Sequence, residues 1–147
     1  MQPVWMRVTA TAILVAHLTS PVRAGPVTAD LVPVAVLAGI DEVTMARRLE
    51  KPASCERIQE GRKCVYLGGA VEIVFIGGLA DWFTIYPANE VYGIAGLSQL
   101  GLGSDQKPTH KNKHGTDWAN VNGLLKISAF PGAAGKVSYF YVKARTP

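Results

Sequence analysis

The chain carries few of the side chains that usually bind metals or transfer protons. Beyond residue 24 its histidines are His110 and His114, four positions apart. Two histidines at that spacing face a metal together only when they lie on a helix. Pro108 and Gly115 disfavour a helix here, and no acidic residue stands between the histidines. We therefore predict that residues 107–117 form a solvated polar loop, with a weak metal site as the alternative.

Two acidic residues are the best candidates for hydrolytic chemistry. Glu72 and Asp81 are expected on one face of a hairpin, and a pair of carboxylates on a sheet can cleave glycosidic bonds. More often, one such acid is an edge charge and the other lies in a turn. Ser98 and Ser104 are not set in the Gly-x-Ser-x-Gly sequence of an activated serine. The sequence thus predicts no catalytic residue, no metal ligand and no cofactor, and a small secreted hydrolase that uses such carboxylates is the alternative.

The two cysteines of the chain, Cys55 and Cys64, are nine positions apart and flank a turn signal at Glu60-Gly61. A hairpin centred just before this turn places the cysteines opposite each other, close enough to form a disulfide. A redox pair would need the Cys-x-x-Cys spacing, and a metal site would need further soft ligands nearby. We predict a structural disulfide between Cys55 and Cys64.

The N-terminal residues follow the order of a secretory signal. Arg7 gives a basic start, an uncharged stretch covers 8–16, and small residues precede a cleavage site after Ala24. Residues 1–24 are therefore predicted to be a signal peptide. The apolar stretch is shorter than the roughly 20 residues that span a bilayer, and an uncleaved anchor or a buried first helix is the alternative. We expect a soluble periplasmic or secreted protein with no stable membrane anchor after cleavage.

The charge balance does not favour a nucleic-acid partner. The full chain has 15 Lys and Arg residues against 11 Asp and Glu. Loss of Arg7 and Arg23 with the signal peptide leaves a net charge of +2. The one basic cluster, 107–113, lies in the predicted polar loop, whereas nucleic-acid binders usually present a clustered basic face. We expect no nucleic-acid partner.

Hydrophobic periodicity predicts helices and strands after a linker over 25–34. Asp41 is expected to cap a helix that ends before Pro52, with Val43, Ala46 and Leu49 at helical spacing. Strands are predicted at 62–67, 71–76, 80–86, 124–130 and 136–143, and a second short helix at 91–103.

This order of elements predicts one α+β domain over 35–147, an antiparallel sheet with helices packed on one face. The halves 37–86 and 90–147 have a similar order, and a tandem helix–strand repeat is our hypothesis for their origin.

The central hairpin is expected to turn at Gly77-Gly78, a pair suited to a tight primed turn. Regular pairing then places Ile73 opposite Trp82. One face would carry Val71, Ile73, Phe75, Ala80, Trp82 and Thr84, and the other Glu72, Val74, Ile76, Leu79, Asp81, Phe83 and Ile85. Because both faces are apolar, the sheet is either covered on both sides or exposes an apolar patch of the kind that marks interaction sites.

Five aromatic residues in or near the predicted strands are the candidate binding residues. Tryptophan and tyrosine are favoured anchors of protein interfaces. The candidates are Trp82, Tyr86, Trp118, Tyr139 and Tyr141. The alternative is that these side chains belong to an ordinary core.

One segment resembles a known family pattern. It reads Gly39-Ile40-Asp41, then Met45, then Leu49-Glu50-Lys51-Pro52, and it is similar to a segment of small envelope proteins of the SmpA/OmlA type and of the BLIP-like (β-lactamase-inhibitor-protein-like) fold. In that pattern a helix-capping residue follows Gly and an apolar residue, and the helix ends in Leu-Gly-x-Pro. Glu50 stands where the pattern has glycine, and no lipid-bearing cysteine is present.

The resemblance implies an α/β module whose sheet is a binding surface and which has no catalytic residues. In SmpA/OmlA-like proteins the role is support of outer-membrane assembly, and in BLIP-like proteins the sheet grips a partner enzyme. Together, the residues and the resemblance predict a non-enzymatic exported interaction module that binds a protein partner of the cell envelope through an aromatic-rich sheet. A self-associating structural envelope protein is a further alternative.

Overall fold

The computed structural model describes residues 31–87 and 92–146. The predicted signal peptide, 1–24, and residues 25–30 of the predicted linker lie outside the described residues. The end of the linker segment belongs to the folded domain, because Val32 and Val34 are fully buried. The backbone N–H of Val32 also donates to the carbonyl oxygen of Gln99 at 2.8 Å. The domain therefore begins before the predicted residue 35.

Two short helices precede the sheet, α1 (Val34–Leu37) and α2 (Glu42–Leu49). The predicted cap is confirmed, since the Asp41 carboxylate accepts a hydrogen bond from the Thr44 backbone N–H at 2.9 Å. This hydrogen bond keeps the pKa of Asp41 below its usual value. The predicted apolar stripe is wrong at Val43, which is 63% exposed. Met45 and Leu49, one turn apart, are the residues that α2 buries.

Eight strands form one antiparallel sheet. Their bounds are β1 (Ser54–Arg57), β2 (Arg62–Tyr66), β3 (Val71–Ile76), β4 (Leu79–Ile85), β5 (His110–Asn112), β6 (Gly115–Val121), β7 (Leu124–Pro131) and β8 (Val137–Ala144). The strand order across the sheet is β1-β2-β3-β4-β8-β7-β6-β5. Each half of the chain thus contributes a meander, and the two meanders join where β4 pairs with β8. The tandem-repeat hypothesis stays a prediction.

The predicted antiparallel sheet is confirmed, but helices make up less of the fold than expected. In place of the short helix predicted at 91–103 there is a 3₁₀ helix over Ile94–Leu100. The loop predicted at 107–117 contains β5 and the start of β6. Here the Asn112 side-chain oxygen accepts hydrogen bonds from the N–H groups of His114 and Gly115 at 2.7 and 3.0 Å. This side-chain turn closes a hairpin among residues whose polarity suggested a loop.

A β-bulge in the central hairpin changes the predicted register. The turn at Gly77-Gly78 is confirmed, with both residues at positive φ, and Phe75 pairs with Ala80 as predicted. The register then shifts, so that Val74 rather than Ile73 pairs with Trp82. Asp81 is the extra residue, and a bulge of this kind reverses which side chains share a face beyond it.

The predicted faces of β4 are therefore wrong after Asp81. Trp82 and Thr84 lie opposite Val74 and Glu72 on one face of the sheet. Phe83 and Ile85 lie opposite Ile73 and Val71 on the other face, and those four residues are fully buried.

The core lies on one face of the sheet. Buried residues of α1, α2 and the 3₁₀ helix pack in one cluster with that face: Val34, Leu37, Met45, Leu49, Leu97 and Leu100 from these helices, and Tyr66, Ile73, Phe83, Trp118, Ile127 and Phe140 among those from the strands. No described helix packs on the opposite face. We call it the open face, and its side chains include Glu72, Val74, Trp82, Thr84, Tyr86, Asp117, Ala119, Lys126, Ser128, Phe130, Tyr139, Tyr141 and Lys143.

Cys55 and Cys64 form the predicted disulfide, directly opposite each other on β1 and β2. It ties the first hairpin together at the edge of the sheet, where β1 has a single neighbouring strand. Within the described ranges, no helix has the length and apolar character needed to cross a membrane.

Candidate binding face

The open face collects four of the five aromatic residues predicted for binding. Trp82 on β4 pairs with Val74 on β3 and with Lys143 on β8. Tyr141 on β8 pairs with Thr84 on β4. Tyr86 and Tyr139 contact each other beside them. The register of the sheet, which depends on the bulge at Asp81, is what brings these side chains to one surface.

Trp118 does not belong to this surface. It is fully buried in the core, and its indole N–H donates to the carbonyl oxygen of Gln106 at 3.2 Å. Its neighbours in β6 explain the placement, because Asp117 and Ala119 face the open side and Trp118 between them must face the core. β6 was not predicted from the sequence, so no face could be assigned to Trp118.

The aromatic side chains form two contacting groups. The ring centres of Trp82 and Tyr141 are 6.2 Å apart in an edge arrangement. Those of Tyr86 and Tyr139 are 6.2 Å apart, and Phe130 stacks on Tyr139 at 4.4 Å. Phe130 was not among the predicted binding residues, although it ends a predicted strand and Tyr139 lies in the next one, which was a usable signal. Such contacts orient the rings, so the face presents a preformed aromatic surface.

A row of alternating charges crosses the open face next to Trp82. Lys126 and Lys143 lie directly opposite each other on β7 and β8, an arrangement that is unfavourable unless the charges are compensated. Lys126 Nζ lies 3.1 Å from a carboxylate oxygen of Asp117, and Lys143 pairs with Asp81, which is fully buried. Lys143 Nζ also lies 5.1 Å from the ring centre of Trp82. Two aspartates thus hold the lysines at the edge of the aromatic surface.

A groove of about 540 Å³ opens between these charges and the aromatic rings. Its lining consists of Trp82, Thr109, Asp117, Ala119, Leu125, Lys126, Tyr141 and Lys143. Leu125 is 41% exposed. The indole nitrogen of Trp82 is buried and has no hydrogen-bond partner among the described residues. The apolar part of the groove lining can accept an apolar side chain.

The pKa values of the face follow from burial and from its polar contacts. Burial alone would raise the pKa of Asp117, but hydrogen bonds from Ser128 and Lys126 outweigh it and hold this pKa below 3.8. Burial raises the pKa of Tyr141, and burial together with the nearby Glu72 charge raises the pKa of Tyr86. Both phenols are therefore protonated at neutral pH and able to donate hydrogen bonds.

Asp81, the two cysteines and His110 are engaged in contacts within the chain. Asp81 has no exposed surface, and Lys143 and Thr146 both donate to its carboxylate. Among the described residues, the one group of three close potential metal ligands is Glu42 with Cys55 and Cys64, and these cysteines are already joined in the disulfide. His110 and His114 lie on the exposed β5–β6 hairpin, where the ring of His110 contacts the Asn112 amide at 3.0 Å.

Comparison with known proteins does not assign the chain to a family. No protein-family model, curated protein or solved structure matches it.

Proposed function

We propose that this chain is an exported, non-enzymatic interaction module that binds a protein partner of the cell envelope through the open face. The observation that carries the proposal is the grouping of Trp82, Tyr86, Tyr139 and Tyr141 on a face that no described helix covers. Aromatic side chains beside an apolar groove are typical anchors of protein interfaces. The resemblance of residues 39–52 to SmpA/OmlA-like and BLIP-like proteins agrees with binding by the sheet, and the disulfide agrees with export, since disulfides persist in oxidising compartments.

The charges of the open face suggest what the partner presents. Lys63, Lys126 and Lys143 are each paired with an acid, Glu56, Asp117 and Asp81 respectively. Glu72 is left without an ion-pair partner among the described residues, and it lies between Val65 and Thr84 in the middle of the first meander. A basic side chain of the partner would compensate this charge, because complementary charges set orientation and association rate.

The test begins with affinity capture from cell envelopes on tagged, oxidised residues 25–147. A captured protein is then purified, and its Kd is measured for the unmodified chain and for Trp82→Ala, Tyr139→Ala and Glu72→Gln. We expect the aromatic variants to weaken binding at least about 30-fold, as truncation of an interface anchor does. Glu72→Gln is expected to slow association and to reduce its dependence on salt.

Val36→Ala is the matched control, because Val36 is an exposed apolar residue of α1 at 52% exposure and lies away from the open face. Thermal unfolding of each variant separates loss of binding from loss of structure. Equal affinity of folded Trp82→Ala, Tyr139→Ala and Val36→Ala would exclude the open face as the interface.

The geometry does not favour a hydrolase that uses Glu72 and Asp81, because Asp81 is fully buried and forms an ion pair with Lys143. Turnover in an unbiased substrate screen of residues 25–147 would nevertheless overturn the non-enzymatic part of the proposal.

Self-association through the open face is the other alternative. A sedimentation coefficient that stays at the value of a monomer at every concentration would exclude it.

A further inference from the structure

A second cleft lies on the core side of the sheet, between α2 and the disulfide-bonded hairpin. It measures about 440 Å³ and is lined by Glu42, Val43, Ala46, Arg47, Lys51, Pro52, Cys55, Arg62 and Tyr66. Its volume falls within the range of roughly 300–1,000 Å³ that is common for small-molecule sites. Because α2 packs on the core face of the sheet, the cleft is separate from the open face and independent of the proposed partner.

A buried tyrosine hydroxyl belongs to this cleft. Tyr66 is fully buried, and its hydroxyl has no hydrogen-bond partner among the described residues. Glu42 and Arg62, which both line the cleft, are the charged groups that act on this hydroxyl. Burial, with the Glu42 charge, raises the pKa of Tyr66, so the hydroxyl is protonated and available as a donor. An unsatisfied buried hydroxyl destabilises a fold, and a phenylalanine would fill the same space without that penalty.

The charge and surface of the cleft define what would satisfy the hydroxyl. Arg62 Nε lies 3.2 Å from the Glu42 carboxylate, whereas Arg47 and Lys51 have no ion-pair partner among the described residues. The lining therefore carries an excess of positive charge. Val43, which is 63% exposed, forms an apolar wall together with Ala46 and Pro52.

We propose that this cleft binds an amphipathic organic anion, whose apolar chain lies on Val43, Ala46 and Pro52 and whose carboxylate accepts a hydrogen bond from the Tyr66 hydroxyl within the cationic rim. The side chains of Glu42 and Arg62 are 37% and 55% exposed, so this ion pair can open without disturbing the core. The ligand carboxylate then takes the place of Glu42 beside Arg62.

The test uses three probes with the same eight-carbon chain and different headgroups: octanoate, 1-octanol and octyltrimethylammonium. Each is titrated into residues 25–147, with affinity measured by calorimetry and position by amide chemical shifts. We expect saturable binding of octanoate with shifts in α2 and the first hairpin, and binding at least about tenfold weaker for the neutral and cationic probes.

Tyr66→Phe separates a binding role from a structural one. We expect it to weaken octanoate binding about tenfold and at the same time to raise the Tm by roughly 3–6 °C, because the unsatisfied hydroxyl is removed. Tyr92→Phe is the matched control, since the Tyr92 hydroxyl already bonds the Thr116 hydroxyl at 2.8 Å. That control is expected to lower the Tm and leave octanoate affinity unchanged.

Charge variants on the exposed rim test the proposal without touching the core. Arg47→Gln is expected to weaken octanoate binding, Glu42→Gln to strengthen it, and Arg48→Gln, on the same helix but outside the cleft lining, to leave it unchanged. The proposal is overturned if octanoate does not saturate below its micelle concentration, if all three probes bind equally, or if Tyr66→Phe and Arg47→Gln both bind as the unmodified chain does.

Discussion

At the scale of single residues, Glu50 adopts a backbone conformation that suits glycine. It follows α2 with φ +68° and ψ −178°. Residues other than glycine adopt this backbone conformation only under strain. The Glu50 side chain is exposed, so its removal leaves no cavity.

We therefore expect Glu50→Gly to increase the free energy of unfolding by about 1 kcal/mol, because the strain at this position is relieved. Urea unfolding of the two proteins measures the difference. Glu60→Gly, an exposed change outside the helices and strands, is the control and should not stabilise the protein. A loss of stability in Glu50→Gly would mean that the helix end is not strained.

Asp117, which forms an ion pair with Lys126 on the open face, makes the stability of the protein depend on pH. Its pKa in the folded protein lies below 3.8 because of the hydrogen bonds from Ser128 and Lys126. A carboxyl group with a depressed folded pKa stabilises the protein above the unfolded pKa, and this contribution is lost as the pH falls through the folded value.

Asp117→Asn is accordingly expected to reduce stability at pH 7 and to flatten the loss of stability below about pH 4. Urea unfolding between pH 2 and pH 7 gives the comparison. Asp105→Asn, an exposed change in a loop, should preserve the unmodified pH profile. If Asp117→Asn loses stability at acid pH as steeply as the unmodified protein, this carboxylate does not stabilise the open face.

At the scale of elements, the first hairpin depends on a close backbone approach at Gly61. A Cβ atom at this position would overlap the backbone oxygen of Phe75 in β3. Glycine is therefore required where β2 begins, and the sequence signal for a turn at Glu60-Gly61 has this additional reason.

Gly61→Ala is expected to destabilise the protein by about 2 kcal/mol or more, because backbone atoms cannot move aside as side chains can. Gly103→Ala is the control, since its nearest neighbour would be the flexible Asp105 side chain. Thermal unfolding of both variants is the measurement. Comparable Tm values for the two would show that β2 and β3 separate at little cost.

At the scale of the whole molecule, the centre of the sheet is completed by the last strand of the chain. β8 pairs with both β4 and β7 and buries Phe140, Val142 and Ala144 in the core. The meander from the first half therefore has no partner until the C-terminal residues are in place, and the sheet depends on contacts distant in sequence.

A chain that ends at Lys136 is expected not to unfold cooperatively, because two internal strands are left with open edges. A chain that ends at Ala144 keeps β8 and is expected to fold, with some loss of stability because Thr146 no longer reaches Asp81. Circular dichroism during thermal unfolding distinguishes these outcomes. A cooperative transition of the shorter chain would show that the first meander folds by itself.

The features that the sequence predicted correctly depend on short-range chemistry. Asp41 caps its helix through a residue three positions away, and Gly77-Gly78 turns the hairpin through its own φ angles. Cys55 and Cys64 meet because a short turn lies between them. Of the five aromatic residues assigned to binding, four lie on one face and Trp118 lies in the core, and their role in binding stays a prediction.

Tertiary structure decided which face each residue occupies. Strand side chains alternate with a period of two, so one extra residue, Asp81, moves Trp82 away from its predicted neighbours. Trp118 lies in the core because β6 forms through a turn at Asn112 that composition did not reveal. Composition and local spacing thus determined the disulfide and most of the strands. The open face depends on the register of strands that are far apart in sequence, and the cleft at Tyr66 depends on how α2 packs against the first hairpin.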